Sequence, residues 1–436
     1  IFETQDAKPV ATQPDIPFIA VHDLQHRLGD IAARFYGCPS QSMRLIGITG
    51  TNGKTTVAQF IAQALSDYKI ACGVMGTLGN GFMPHLNKTT HTTLDPIHFQ
   101  QTLALLRDQG AQAVASEVSS HALDQGRVQG AYFDTAVLTQ LSRDHLDYHG
   151  DMQRYAHAKE LLFQQLGLRY GVVNLDDELG RKIATRYRNK FTVVGYSTAN
   201  KNINDVPVIV ATKITPTAQG FAVTVKSPWG DGQFTTPLLG RFNISNLLAV
   251  AAVLLNTFAL PFAEVLCSLS KLHSIKGRMQ RYGNQQQPQV IVDYAHTPDA
   301  LQKALSALRE HCVGKLYCVF GCGGDRDQGK RPAMAAIAEH YADYLVMTND
   351  NPRNEAPGKI IKDMQAGLTR LGTAKIELDR AAAIRYAVQT AGVDDIVLIA
   401  GKGHETTQTI GAKVLPFDDG KVVVQTLAKY KESQDK

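Results

Sequence analysis

No two of the six cysteines stand in a C-x-x-C pair. Cys38, Cys72, Cys267, Cys312, Cys318 and Cys322 are scattered, which leaves no zinc-ribbon or dithiol redox motif and reads as reduced thiols in a cytosolic enzyme. The chain also lacks an apolar run long enough to span a membrane, and it lacks a signal peptide, so membrane insertion is not expected. There is no basic block either. A net charge of +5 over 436 residues gives a slight bias toward anionic substrates and little reason to expect nucleic acid. What is present, 44% apolar and 19% charged residues, is the composition of a soluble globular protein. The length suggests about three domains. The first residue is Ile1 rather than methionine, and the expectation is that the sequence begins inside a longer chain.

The stretch Leu45 to Thr56, L-I-G-I-T-G-T-N-G-K-T-T, joins an apolar run to an amphipathic one. A strand ending in such a turn and feeding a helix presents free backbone N–H groups, and a lysine there adds charge that a polyphosphate would neutralise. In this phosphate-loop reading Gly50 and Gly53 admit the phosphates close to the backbone, Lys54 reaches the outer ones, and the Thr55 hydroxyl binds Mg²⁺. Ile48 stands where the strict G-x4-G-K-[ST] pattern has its first glycine, so an ordinary Gly-rich turn stays open on local residues alone.

Strand and helix patterns alternate beyond it: a helix to about Tyr68, a strand near Val74, a helix from Pro96 to Arg107, and strands Ala113 to Val118 and Thr135 to Thr139. Upstream lie a short apolar piece, Ile16 to Val21, and an amphipathic stretch, Leu24 to Tyr36. The alternation predicts an α/β fold with a parallel sheet covered by helices, its strand ends lining one crevice. Ile203 to Leu239, with a turn at Trp229 to Gly232, reads as an antiparallel insertion or edge hairpin. From Val290 a second α/β domain without a phosphate loop begins.

Several polar turns follow predicted strands. Glu117 ends one strand and runs into Ser119-Ser120-His121, where a carboxylate beside a phosphate loop suits Mg²⁺; a surface glutamate is the plain alternative. Asp144, His145, Asp147 and His149 crowd another turn, and histidines four apart can mimic a zinc pair on a helix. No H-E-x-x-H glutamate separates them and no third ligand is evident. Asp293 to Pro298, Gly321 to Asp327, Asp350 to Arg353 and Gly401 to Glu405 complete the set, each of which alone could be turn chemistry and which together read as a pocket.

In order, G-T-N-G-K-T-T, S-E-V-S-S-H-A-L, L-S-R-D-H-L-D-Y-H-G, G-R-F-N-I-S-N, D-Y-A-H-T-P-D, F-G-C-G-G-D-R-D, D-N-P-R and G-K-G-H-E resemble the Mur ligases of peptidoglycan synthesis. The resemblance covers nearly all of the chain and is strongest to the branch that adds meso-diaminopimelate to UDP-N-acetylmuramoyl-L-alanyl-D-glutamate. It implies a remnant of an N-terminal uridine-binding domain and linker over 1–40, a central P-loop ATPase domain over 41–276 with the small antiparallel insertion, and a C-terminal Rossmann-like amino-acid domain over 277–436. Most of the first domain would be missing. The implied chemistry is phosphorylation of the glutamate carboxylate by ATP, then attack of the amine on the acyl phosphate, in the cytoplasm and by a monomer.

By the same resemblance Gly50, Thr51, Asn52, Gly53, Lys54, Thr55 and Thr56 cradle the phosphates, with Asn243, Asn246, Arg278 and Asp293 as further nucleotide contacts. Thr55 is the implied ligand of a first Mg²⁺, and Glu117, His145 and a carbamylated Lys159 are implied at a second Mg²⁺ site; a bland helical surface lysine is the alternative for Lys159. His91, Thr92, Thr93, Ser119, Gln125 and Arg127 match positions that hold the muramoyl dipeptide, although Leu94 stands where the family often has proline. Arg326, Asp350, Asn351, Pro352, Arg353, Gly401 and Glu405 match the amino-acid site. Arg353 suits the far carboxylate of diaminopimelate, and Glu405 suits its far ammonium. A lysine-adding ligase, a P-loop motor and a non-catalytic nucleotide-binding module are the other readings. Turnover without an amine would mark the motor, and binding without an amide product would mark the module.

Overall fold

The computed structural model describes residues 2–3, 19–217, 220–370, 372 and 374–430. Residues 1 and 4–18 of the stretch 1–40 expected as a domain remnant, including 16–18 of its apolar piece, lie outside them. The chain divides into two compact units: Ile1–Ile214 with Val223–Phe234 and Ile244–Leu272, and Thr215–Ala222 with Thr235–Asn243 and His273–Lys436.

The first unit is built on an eleven-stranded sheet. In chain order its strands are β1 (Arg44–Thr49), β2 (Cys72–Gly76), β3 (Gly79–Phe82), β4 (His85–Asn87), β5 (Ala113–Glu117), β6 (Thr135–Leu138), β7 (Tyr170–Asn174), β8 (Thr192–Ser197), β9 (Val208–Thr217), β10 (Gly220–Ser227) and β11 (Gly230–Thr236). Their order across the sheet is β11-β10-β9-β8-β7-β6-β1-β5-β2-β3-β4. β1 pairs in parallel with both β5 and β6, while β2, β3 and β4 form an antiparallel meander at one edge. From β1 the chain crosses to β2 on one side, returns to β5, and then passes to β6 on the other side. The carboxyl end of β1 is therefore the switch point at which open α/β sheets bind ligands. Leu45, Ile46 and Ile48 are fully buried, as parallel central strands demand.

Between His149 and Ile203, where the sequence reading assigns no strand, β7 and β8 continue the parallel sheet, with helix Glu178–Tyr187 crossing between them. The expected insertion forms β9 to β11. It extends the main sheet rather than standing apart, because β9 pairs in parallel with β8.

The second unit carries a six-stranded sheet of β12 (Gln280–Tyr282), β13 (Gln289–Asp293), β14 (Leu316–Phe320), β15 (Tyr344–Met347), β16 (Ala374–Ile376) and β17 (Ile396–Ala400), ordered β12-β13-β17-β14-β15-β16. All but the edge pair β12/β13 are parallel. This order makes neighbours of four turns far apart in sequence, those after β13, β17, β14 and β15. A separate two-stranded hairpin, β18 (Thr407–Ile410) with β19 (Lys413–Pro416), has no counterpart in the sequence reading.

Candidate active site

In the first unit β1 delivers Gly50 and Gly53 in left-handed conformations, φ 147° and 89°, that L side chains rarely adopt. A Cβ on Gly50 would overlap the Thr139 hydroxyl, and one on Gly53 would lie 2.7 Å from Asn246 Oδ1, so the loop has room only for glycine at both places. The Thr139 hydroxyl donates to Asn52 O at 2.6 Å and ties the loop to the end of β6. Helix Lys54–Asp67 starts at Gly53. Lys54 Nζ folds back over the loop and donates to Gly50 O and Thr51 O, at 2.8 and 3.0 Å. Thr51 Oγ1 meets the Tyr155 hydroxyl at 3.1 Å and donates to Ser142 O.

Beside the loop, buried Thr55 donates its hydroxyl to Glu117 Oε2 at 2.8 Å. Glu117 is 2% exposed, so it is not the surface glutamate of the plain alternative. Its carboxylate also accepts from the Thr77 amide and hydroxyl, at 2.8 and 3.1 Å. Thr77, at the end of β2, carries no motif and was missed by sequence reasoning. The Thr77 hydroxyl meets Thr92 Oγ1 at 3.1 Å. Thr93 donates to Glu117 O and accepts from the Ser119 amide, both at 3.0 Å. Arg127 reaches Thr93 O at 3.1 Å and forks onto Gln125 Oε1. Five of the six expected dipeptide contacts thus form one hydrogen-bonded set, while His91 is exposed and joined to Thr90.

The histidine pair is arranged differently from a helical zinc pair. His145 caps its short helix with φ 52° rather than lying within it, and the rings of His145 and His149 both pack on His121, with centroids 4.9 and 5.3 Å away. Among the described residues no group of three or more His, Cys, Asp or Glu side chains is placed to hold a metal. Lys159 is 1% exposed, contrary to a surface lysine. Its Nζ sits 4.4 Å from the centre of the Tyr155 ring. Burial first, then the charge of Lys54, holds its ammonium well below the usual lysine range.

In the second unit the four turns carry the remaining residues. Asp293 accepts from the Met279 and Ala295 amides, at 2.7 and 2.9 Å, and burial raises its carboxyl above the usual range. The Arg278 guanidinium stacks on Tyr294, 4.6 Å from the ring centre, with a buried Nε that has no hydrogen-bond partner. Asn243 donates to Leu239 O. Gly401, φ 118°, lets β17 turn beside Asp350, whose Oδ2 would lie 2.5 Å from an added Cβ. Asn351 joins two turns: its Nδ2 donates to Glu405 Oε2, and its Oδ1 accepts from Lys402 Nζ, each at 2.9 Å. Fully buried Lys402 also bonds Glu405 Oε2 at 2.9 Å. Glu405 thus has one oxygen committed inside the protein, which sequence reasoning could not see. Arg353, φ 50°, donates from Nη1 to Gly324 O at 2.8 Å. The turn holding exposed Arg326 is braced from beneath by buried Arg331, which bonds Gly323 O, Glu355 and Asp363.

The glycine loop with its lysine and its buried Thr–Glu pair has the chemistry of an ATP-dependent enzyme, and the comparisons give the class as a ligase. The Mur ligase middle domain matches residues 48–254, and the Mur ligase, glutamate ligase domain matches residues 277–403. The chain is 62% identical over 418 residues to the UDP-N-acetylmuramoyl-L-alanyl-D-glutamate--2,6-diaminopimelate ligase of Coxiella burnetii, covering 96% of this chain and 85% of the relative. It is similar to a solved structure of a ligase of the same name, at 37% identity and TM-score 0.71 over 95% of this chain and 84% of that one. Folylpolyglutamate synthase of Mycobacterium tuberculosis, solved with ADP and AMPPCP, shares the fold at 16% identity and TM-score 0.66 over 93% and 94%. The chain belongs to the Mur ligase family.

Proposed function

We propose that this chain is an ATP-dependent amide ligase that adds meso-diaminopimelate to the D-glutamate of UDP-N-acetylmuramoyl-L-alanyl-D-glutamate in peptidoglycan synthesis. The observation that carries this reading is the phosphate loop with its buried Thr55–Glu117 bond, set beside the Thr93, Ser119, Gln125 and Arg127 network. Lys54 would leave the Gly50 and Thr51 carbonyls for the terminal phosphate of ATP. Arg127 and the threonine–serine pair would hold the dipeptide so that its terminal carboxylate meets that phosphate. The reaction transfers the phosphoryl group to this carboxylate, and the amine then displaces phosphate. Positioning and charge neutralisation therefore carry most of the catalysis.

The Thr55 hydroxyl and the buried Glu117 carboxylate, 2.8 Å apart beside the loop, are oxygen donors of the kind Mg²⁺ takes. Thr55 would serve a first Mg²⁺ at the phosphates, and Glu117, His145 and Lys159 as its carbamate would hold a second; bound there, the ions would supply positive charge to the phosphate oxygens. For Lys159 the support is its burial, which together with the charge of Lys54 disfavours the ammonium form. A neutral amine in such a site adds to carbon dioxide, forming an N–C bond and releasing one proton, and the product is an anion facing Lys54. In the second unit Arg353 and the uncommitted oxygen of Glu405 are the groups we assign to the far carboxylate and ammonium of diaminopimelate. Asn243, Asn246, Arg278 and Asp293 are assigned to the nucleotide. We further propose a monomeric enzyme of the cytoplasm that serves cell-wall growth and division; among the described residues no helix is long and apolar enough to cross a membrane.

Product mass tests the reading. The protein incubated with ATP, Mg²⁺, the UDP-dipeptide and either meso-diaminopimelate or lysine is expected to yield the diaminopimelate amide with ADP and phosphate. An amide formed equally with lysine, or ATP turnover independent of any amine, would overturn it. Lys159→Ala should lose at least a hundredfold in kcat, with partial recovery when a short carboxylic acid is added.

A further inference from the structure

The hairpin β18/β19 is bonded to the turn that carries Arg353 in a way that bears on selection of the amine, an inference that rests on the ligase reading above. The D-N-P-R turn lies along β18 like a third strand, with Arg353 bridged in parallel to Ile410. The Arg353 amide donates to Thr409 O at 3.1 Å, and Gly411 N donates to Arg353 O at 2.7 Å. Thr409 N donates to Asn351 Oδ1 at 3.0 Å. Gln408, 8% exposed, donates from Nε2 to Asp350 O at 2.8 Å. The hairpin is otherwise largely exposed, as Val414 and Leu415 show, so these bonds to the turn are what fix its place.

Arg353 is a bulky non-glycine residue at φ 50°, a conformation that L residues avoid and that persists only where the surroundings over-determine it. Here the surroundings are named: both backbone groups of Arg353 are bound by the hairpin, and its guanidinium is bound by Gly324 O. Released from the hairpin, Arg353 would relax toward negative φ, and the direction of its side chain would swing with it.

We propose that Gln408 is a positioning residue for amino-acid selection: through it the hairpin holds the D-N-P-R turn so that Arg353 is aimed at the far carboxylate of the incoming amino acid. Gln408 touches no reacting atom in this account. Its loss should weaken only the step that depends on the aim of Arg353.

The test uses the full chain with Gln408→Met, which keeps shape and removes the donor to Asp350 O, and Gln408→Glu, which sets an acceptor against that carbonyl. Steady-state kinetics with meso-diaminopimelate and with lysine give the ratio of kcat/KM for the two amines. This ratio is independent of the fraction of enzyme that is folded, so a loss of stability alone leaves it unchanged. A misplacement of about 1 Å predicts a fall of about tenfold or more in the ratio, expressed as a raised KM for diaminopimelate, with KM for ATP unchanged. An unaltered ratio in both variants, while Arg353→Ala loses the preference, overturns the role of Gln408 and leaves the ligase reading standing. Failure of the unmodified protein to ligate diaminopimelate overturns the ligase reading itself.

Discussion

Replacing Asp419 by alanine strands a charge in the core of the second unit. Arg380 and Asp419 are both fully buried and meet two-pronged, Nε to Oδ1 and Nη2 to Oδ2, each at 2.8 Å. The remaining donors of Arg380 reach Ala400 O at 3.0 Å and Asn349 O at 3.3 Å, the last residue of β17 and the residue before Asp350. The pair therefore staples the roots of the two turns that hold Arg353 and Glu405. With the carboxylate gone, the guanidinium keeps its desolvation penalty and loses its counter-charge, a change that costs about 3–5 kcal/mol. With a urea dependence of about 2 kcal/mol per molar, the midpoint should fall by about 2 M. Far-UV circular dichroism follows that transition, and the fluorescence of Trp229, the only tryptophan and part of the first unit, separates it from unfolding there. The double variant Arg380→Met with Asp419→Leu removes both charges and should recover most of the loss. A midpoint shift below about 0.5 M, or a double variant no more stable than the single one, would refute the reasoning.

Gly50→Ala should abolish ATP binding in calorimetry while leaving most of the fold intact, because its Cβ would overlap the Thr139 hydroxyl and φ 147° suits only glycine; retained binding within threefold would count against the phosphate loop. His404 gives a pH signature. Burial, then the charge of Arg278, pushes its imidazole down to about 4. The folded value lies below the unfolded one, so stability is fully present above pH 6.5, falls as pH drops toward 4, and levels off beyond. The loss is roughly 3 kcal/mol. His404→Phe should flatten that part of a stability-versus-pH curve, and an unchanged slope between pH 6.5 and 4 would show that other groups set it.

Much of the site was legible because its signals are local. The turn from β1 into its helix announces itself by Gly50, Gly53, Lys54 and Thr55, whose backbone requirements and charge act within a few residues. Glu117 was legible for a similar reason, as the last residue of a strand pattern beside that loop. Lys159 was not. Its sequence neighbours, Y-A-H-A-K-E, suit any exposed helix, and only the packing of Tyr155 and the nearness of Lys54 make it a buried amine. The strands after His149 were passed over because short buried runs such as Val172–Val173 carry no period of their own.

The sequence by itself determined the alternating α/β character, the glycine-rich turn from β1 into its helix, the order of the polar turns and the family, all of which follow from neighbours close along the chain or from whole motifs in order. The tertiary structure alone decided which turns meet. The sheet order β13-β17-β14-β15 brings Asn351, Lys402 and Glu405 into one bonded group although more than fifty residues separate the first from the last. The fold of the first unit likewise brought Thr77 to Glu117, and that of the second brought a hairpin without a motif to Arg353. The physical reason is that strand adjacency is set by how helices and sheets bury their apolar faces together, a property of the whole chain that no local pattern encodes.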